Sequence, residues 1–310
     1  MRKFILRLLI FLIPFIMILV INIVIDPFEY LNGPGLGFDK KAVSLPLDYR
    51  LYRLNLYRKH PLPSILLGDS RMAAISTVEI ERVSGRDFYN FAYGGGTLEE
   101  ALITIDYAAG ICKLKEIVIG IPFNLFDASN SRESVTQSIK IIKNPPSYFF
   151  SYKTSRASLY CCMYILTGKN PVSENPKISK KDFWIRQLKA SDATYSNYSY
   201  PHDYETKLFT LSQWCKKNNV DFKVIIPPTH ADLQNQVKQH NLENEYVKYK
   251  QFISSIATVY DYDKLTSITA DSVNFKDPYH FSDRIMKMIV DDVWGNQSEE
   301  NQLKRHRLGN

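Results

Sequence analysis

The chain is 310 residues long, room for one large domain or two small ones with ample length to bury a core. Hydrophobic residues at 45% and charged residues at 23% are ordinary globular values, which excludes disordered and collagen-like classes. Lys plus Arg (39) exceeds Asp plus Glu (32), but Arg2, Lys3 and Arg7 precede the first acid, Asp26. The excess left over the rest of the chain is too dilute for nucleic acid, and no compact basic stripe with interleaved aromatics occurs.

From Leu8 to Ile25 the sequence is apolar apart from Asn22. Eighteen residues span about 27 Å as a helix at ~1.5 Å per residue. Basic residues come before this run and Asp26 and Glu29 after it, so the positive-inside rule puts the N-terminus in the cytoplasm and the body of the chain outside. A cleaved signal peptide needs a small-x-small site, and Ile23-Val24-Ile25-Asp26-Pro27-Phe28 offers none. A buried core helix would leave the charge asymmetry unexplained. The prediction is residues 1–25 as a cytoplasmic stub and transmembrane anchor, with a soluble domain held at the membrane surface. Cys112, Cys161, Cys162 and Cys215 would then face an oxidising compartment. A disulfide from Cys112 or Cys215 to one of the adjacent pair, and free buried thiols, both remain open.

Residues 26–60 read as a juxtamembrane connector, with turn chemistry at Gly33-Pro34-Gly35-Leu36-Gly37 and a helical pattern over 49–58. Residues 61–297 read as one large domain. Ser64-Ile65-Leu66-Leu67 is a short apolar run ending at Gly68, as expected of a buried parallel strand, and Met72 to Arg82 follows with helical spacing. A second unit runs from Asp87 to Phe91, then Gly94-Gly95-Gly96 and a helical pattern from Thr97 to Ala109. The third strand is Glu116 to Ile121. The fourth is Val220 to Ile226, ending in Pro227-Pro228 after a helix through 208–217. Strands alternating with helices predict a parallel α/β sheet covered on both faces, with ligands at the carboxyl ends of the strands. The pattern is lost between about 128 and 200, an insertion of helices and loops crowded with Tyr148, Tyr152, Tyr160, Tyr164, Tyr195, Tyr198 and Tyr200. These rings suit packing better than a sugar-stacking platform. The tail, 298–310, is polar.

Ser70 sits in Gly68-Asp69-Ser70-Arg71-Met72, where the first strand turns into a helix. Its hydroxyl would project from the sheet edge beside free backbone N–H groups able to hold a developing oxyanion. The segment is not Gly-x-Ser-x-Gly, since Met72 stands in place of the second Gly, and a serine there can also serve simply as a cap. Asp277-Pro278-Tyr279-His280 precedes a C-terminal helical run through Trp294. Its position after Ser70 in the chain supplies a base for the serine proton and a carboxylate to orient the imidazole.

With two middle elements, the sequence resembles the SGNH/GDSL family of serine esterases and acyltransferases. The first block resembles Gly68-Asp69-Ser70, the second Asn90-Phe91-Ala92-Tyr93-Gly94-Gly95-Gly96-Thr97, the third Gly120-Ile121-Pro122-Phe123-Asn124 and the fourth Asp277-Pro278-Tyr279-His280. The resemblance covers roughly 62–127 and 205–295. It implies a flavodoxin-like three-layer sandwich with a parallel sheet, Ser70 as nucleophile, His280 as base and Asp277 as its orienter. The oxyanion donors would be the backbone N–H groups of Ser70 and Gly95 and the side chain of Asn124. The third block departs from the family pattern, with Leu125 in place of an Asp and Pro122-Phe123 before the Asn.

An anchor joined to such a body resembles the accessory proteins of alginate O-acetylation and teichoic-acid D-alanylation. That likeness implies a cell-surface or exported carbohydrate polymer as substrate and a multipass membrane acyltransferase as partner. A non-catalytic, glycan-binding or scaffold role for the same fold is the alternative. No cofactor and no metal are expected: the sequence has no G-x-G-x-x-G, no P-loop and no zinc-type His/Cys spacing. His230, after the fourth strand, is a candidate substrate contact or an ordinary loop histidine.

Overall fold

The computed structural model describes residues 2–31, 37–130, 132–172 and 178–295. Most of the Gly33–Gly37 turn and the whole 298–310 tail lie outside them. The chain divides into two compact units, Met1–His60 with Glu133–Pro176, and Pro61–Arg132 with Lys177–Asn310.

The second unit is built on five strands: β1 (Ser64–Leu67), β2 (Tyr89–Asn90), β3 (Glu116–Gly120), β4 (Asp221–Ile226) and β5 (Thr258–Asp261). They pair in the order β2-β1-β3-β4-β5, every pair parallel, which is the flavodoxin-type order. Four strands follow the sequence prediction. The fifth was not foreseen, because Thr258-Val259-Tyr260-Asp261 is a short, partly exposed edge strand without an apolar run.

Register sorts the side chains onto two faces. Leu66 pairs with Val118, and both join Ile225, Met72, Ile80 and the Asp283–Trp294 helix in one buried cluster. On that helix Ile285, Met286, Ile289, Val290 and Val293 repeat at three and four residues, forming the apolar stripe that the sheet demands. The helices His202–Asn218 and Glu243–Ile256 pack against β4 and β5, and the Tyr249 hydroxyl donates to the Ile121 carbonyl just past β3.

The helix expected from Met72 to Arg82 is two pieces. A single turn, Ser70–Ala73, stops at Ala74, and Ser76 starts a new helix, Thr77–Ser84, by accepting from the Glu79 N–H. Serine as N-cap offers the backbone an alternative to continuing the first helix, which explains the break. One turn of helix has only a small dipole, so the local N–H groups matter more to the site than helix potential does.

Among the described residues, the stretch 128–200 holds four helices, Ser134–Lys143, Pro145–Phe149, Tyr152–Thr167 and Lys180–Ser196. The first three belong to the first unit and the fourth to the second. Several of its tyrosines are packing groups. Tyr198 and Tyr195 stack on Phe123 with ring centroids 4.6 and 6.0 Å away, and Tyr200 meets Phe126 edge-on at 5.5 Å. In the first unit, Tyr148 stacks on Tyr30 at 4.4 Å and donates to Asp26 at 2.8 Å. Tyr152 stands exposed.

The first unit begins with the Arg2–Ile25 helix. Near its end Asn22 is buried and donates to the Phe149 carbonyl (2.7 Å) and Ser155 Oγ (3.0 Å). Asp26 then turns the chain, its carboxylate accepting from the N–H groups of Tyr30 and Leu31 at 2.8 Å each. Among the described residues, no helix is long and apolar enough to cross a membrane. The predicted span thus finds no support among the described residues. Each of the four cysteines is a free thiol.

Candidate active site

The site forms where the carboxyl ends of β1, β2 and β3 meet, beside the switch point of the sheet. Gly68, at φ +139°, ends β1. Asp69 then caps the following turn, its carboxylate accepting from the Arg71 N–H at 2.9 Å. This tight exit leaves Ser70 partly exposed on the sheet edge. Met72 fills the space beneath. A Cβ added to Gly68 or Gly120 would lie 2.6 or 2.1 Å from Met72 Cγ, so these two glycines make room for the residue that replaces the second elbow glycine. The Asn90 side chain ties the second block to this turn by donating to the carbonyls of Met72 (3.0 Å) and Ile75 (3.1 Å).

The fourth block is a clamped loop. Phe275 and Phe281 form an antiparallel bridge across its neck, and the Lys276 N–H donates to the His280 carbonyl at 2.7 Å. Inside it Asp277 Oδ1 accepts from the N–H groups of Tyr279 (2.9 Å) and His280 (3.2 Å), an Asx-type turn. That leaves Oδ2 for the imidazole, and His280 Nδ1 lies 2.7 Å from it. The other ring nitrogen, Nε2, lies 2.7 Å from Ser70 Oγ. Residues 210 positions apart in sequence thus form one continuous chain, Ser70–His280–Asp277.

Chemistry assigns the protons. An ionised carboxylate only accepts, so Nδ1 carries the hydrogen and donates it to Asp277, and Nε2 presents its lone pair to the serine hydroxyl. Burial pushes the Asp277 carboxyl up, but hydrogen bonding and charge from His280, with the two backbone N–H groups, more than offset this and hold it below the ordinary carboxylate range. Asp277 therefore stays ionised wherever an imidazole can act as a base. With the folded value depressed, its contribution to stability is full above the unfolded carboxylate value of ~3.9 and is lost as pH falls through the lower folded value.

The three predicted oxyanion donors are all unspent. Among the described residues, the backbone N–H groups of Ser70 and Gly95 make no hydrogen bond, and neither does Asn124 Nδ2. Gly95 sits at φ +61°, with its carbonyl accepting from Arg132 Nη1 at 3.0 Å, which fixes the peptide on the glycine-rich loop. Asn124 follows β3 in a short 3-10 turn, Phe123–Leu125, and its Oδ1 accepts from Arg71 Nη2 at 2.8 Å.

His230 is placed differently from the triad. Its side chain caps the Ala231–Gln239 helix, Nδ1 accepting from the Asp232 N–H at 3.1 Å. The ring is buried edge-on to Trp184 (4.7 Å) and Phe275 (5.5 Å). Its backbone N–H donates to the Pro278 carbonyl at 2.9 Å, so it braces the Asp277–His280 loop.

Sequence reasoning passed over Arg71, which is 1% exposed. Its guanidinium holds Asp69 Oδ2 through Nε (2.9 Å) and Nη2 (2.5 Å) and lies 5.4 Å from the centre of the Tyr279 ring. Burial works against this charge, and the neighbouring Asp69 more than restores it. The signal was present in the sequence as an Asp and an Arg flanking the serine. Residues two apart do not face each other on a helix, but at an N-cap they can.

No protein-family model matches the chain, and no curated protein sequence matches it. Among solved structures it is similar to a protein from Desulfitobacterium hafniense described as lipolytic and of the G-D-S-L family. That pair shares 12% identity over 74% of this chain and 96% of the other, at a TM-score of 0.35. It is also similar to a protein from Streptococcus pneumonia described as a platelet activating factor, at 10% identity over 82% and 96% with a TM-score of 0.37. A Bacteroides fragilis protein described as an acylhydrolase matches at 12% identity over 82% and 94%, again with a TM-score of 0.37. Likenesses of this size carry no weight for activity, which is read from the site itself.

Proposed function

We propose that this chain is an SGNH-type serine acyl-transfer enzyme, an O-acyltransferase or esterase working through an acyl-Ser70 intermediate. The carrying observation is the unbroken relay from Ser70 Oγ to His280 Nε2 and from Nδ1 to Asp277, at 2.7 Å in each step. His280 takes the Ser70 proton as Oγ attacks an acyl carbonyl. The carbonyl oxygen gains charge in reach of the unspent donors, and the imidazolium then protonates the leaving group. Deacylation repeats the cycle with an incoming hydroxyl, from a glycan in transfer or from water in hydrolysis.

The proposal extends to place and substrate. The Arg2–Ile25 helix anchors the enzyme in the cell membrane, N-terminus inside and catalytic unit outside, where a cell-surface or exported glycan is the acceptor and a multipass acyltransferase the acyl source. Support comes from the basic residues ahead of the apolar run and from its exposed side chains, among them Ile10, Phe11, Phe15, Met17 and Val24. An exposed apolar surface of this extent needs a partner other than water.

The test uses the full chain in detergent micelles with an activated aryl acetate. A burst of aryl alcohol, with acetyl on the Ser70 peptide after acid quench, is expected. Acetyl moving to an added oligosaccharide faster than to water would mark a transferase. A steady turnover with no acetyl on Ser70, in wild type and Ser70→Ala alike, would remove the proposal.

A further inference from the structure

Asn124 is useful as an oxyanion donor only if its amide nitrogen, not its oxygen, faces the reacting carbonyl. The two ends of the amide are nearly the same size, so packing alone does not choose between them. Arg71 does choose. Arginine carries donors and no acceptor, so the end of the amide 2.8 Å from Nη2 must be Oδ1, which turns Nδ2 the other way. The same Nη2 also holds Asp69, and Nε reaches Asp69 as well. Asp69 and Ser70 are adjacent, so one guanidinium references the nucleophile's turn and the Asn124 side chain to each other. A planar fork can hold two partners at fixed angles, whereas an ammonium cannot. Stability alone explains this arrangement poorly: the pair is buried, and Arg71 Nη1 has no hydrogen-bond partner among the described residues.

We propose that Arg71 is a positioning residue for the oxyanion hole, holding Asn124 through Oδ1 so that Nδ2 points at the developing charge. Donation into Oδ1 also polarises the amide and strengthens Nδ2 as a donor. The proposal rests on the serine acyl-transfer reading above.

The experiment is a double-mutant cycle on the acylation burst of the full chain with aryl acetate, read as separate kcat and KM. Asn124→Ala should lower kcat about 10²–10³-fold, as loss of one oxyanion donor does elsewhere. Arg71→Lys, which keeps the charge and loses the fork, should lower kcat roughly 10-fold or more with KM little changed. In the Asn124→Ala background the same Arg71→Lys change should cost less than about threefold, because there is no amide left to orient. Equal losses in both backgrounds would overturn the role. Asn124→Asp covers the case in which Arg71 variants fail to fold: it keeps an acceptor for Nη2 but has no donor, so it should fold and be at least as slow as Asn124→Ala. A wild-type rate in Asn124→Asp would overturn the proposal. Fluorophosphonate that fails to label Ser70 in the wild type would instead remove the acyl-transfer reading, and this role with it.

Discussion

Replacing His280 with Ala is expected to slow acylation of Ser70 by about 10⁴–10⁶-fold, a loss as large as removing the serine itself. His280 is the only group within hydrogen-bonding distance of Ser70 Oγ among the described residues, so no second base can take over. Asp277→Asn should cost about 10⁴-fold, by a different route. An amide can donate to Nδ1, and if it does, the imidazole proton moves to Nε2, where a lone pair is needed. The backbone N–H groups of Tyr279 and His280, which Asp277 Oδ1 now accepts, would press the amide toward that wrong orientation, since they require an oxygen. Burst kinetics with an aryl acetate separate the two cases. His280→Ala should have no usable base at any pH, and Asp277→Asn should retain a small burst that grows as pH rises. A burst in His280→Ala within tenfold of wild type would show that the relay seen in the structure is not the one used.

The second large effect concerns the floor of the site. Gly120→Ala should destabilise the α/β unit by about 1–3 kcal/mol or more, because its Cβ would sit 2.1 Å from Met72 Cγ and 2.6 Å from Sδ in a fully buried position. Gly68→Ala should be at least as costly, since it adds a 2.6 Å clash to a backbone at φ +139° that side chains rarely adopt. Met72→Ala alone should leave a cavity and cost about 2–5 kcal/mol. Combined with Gly120→Ala, however, the new methyl occupies part of that cavity. The double variant should then be more stable than the sum of the single losses by about 1–3 kcal/mol, as measured by urea unfolding. Strict additivity would mean that Gly120 and Met72 do not share the space assigned to them. Since Met72 lies two residues past Ser70, Gly120→Ala should also weaken the acylation burst.

The two effects share a cause that the sequence showed only in part. Short apolar runs ending at Gly68 and at Pro122, and the run into Pro227, mark buried parallel strands because such strands have both faces covered and read as near-continuous apolar runs. Thr258–Asp261 escaped that signal, since an edge strand is exposed on one side and carries polar residues. The candidate site residues were legible because each sits at a strand end or in a turn with its own punctuation: Gly68 before Ser70, Pro278 inside the fourth block and the glycine run at 94–96. Arg71 was hidden by its type. A buried guanidinium beside a serine reads in sequence as an exposed charge, and only the fold reveals that Asp69, Asn124 and Tyr279 converge on it.

The N-terminal helix shows the opposite limit. Its apolar run and charge asymmetry are strong signals in sequence, and much of the helix side-chain surface is exposed. In the proposed reaction, transfer and hydrolysis would use the same Ser70, His280 and Asp277 and differ in whether water reaches the acyl-enzyme before an acceptor hydroxyl does.

The most direct test of an activated Ser70 is fluorophosphonate labelling of the full chain in detergent, beside Ser70→Ala and His280→Ala, with the modified peptide located by mass spectrometry. The site described here predicts a single label on Ser70 that is lost in both variants. Folded wild-type protein that takes no label, or takes it at another residue, would contradict the enzyme and favour a glycan-binding or scaffold role for the same fold.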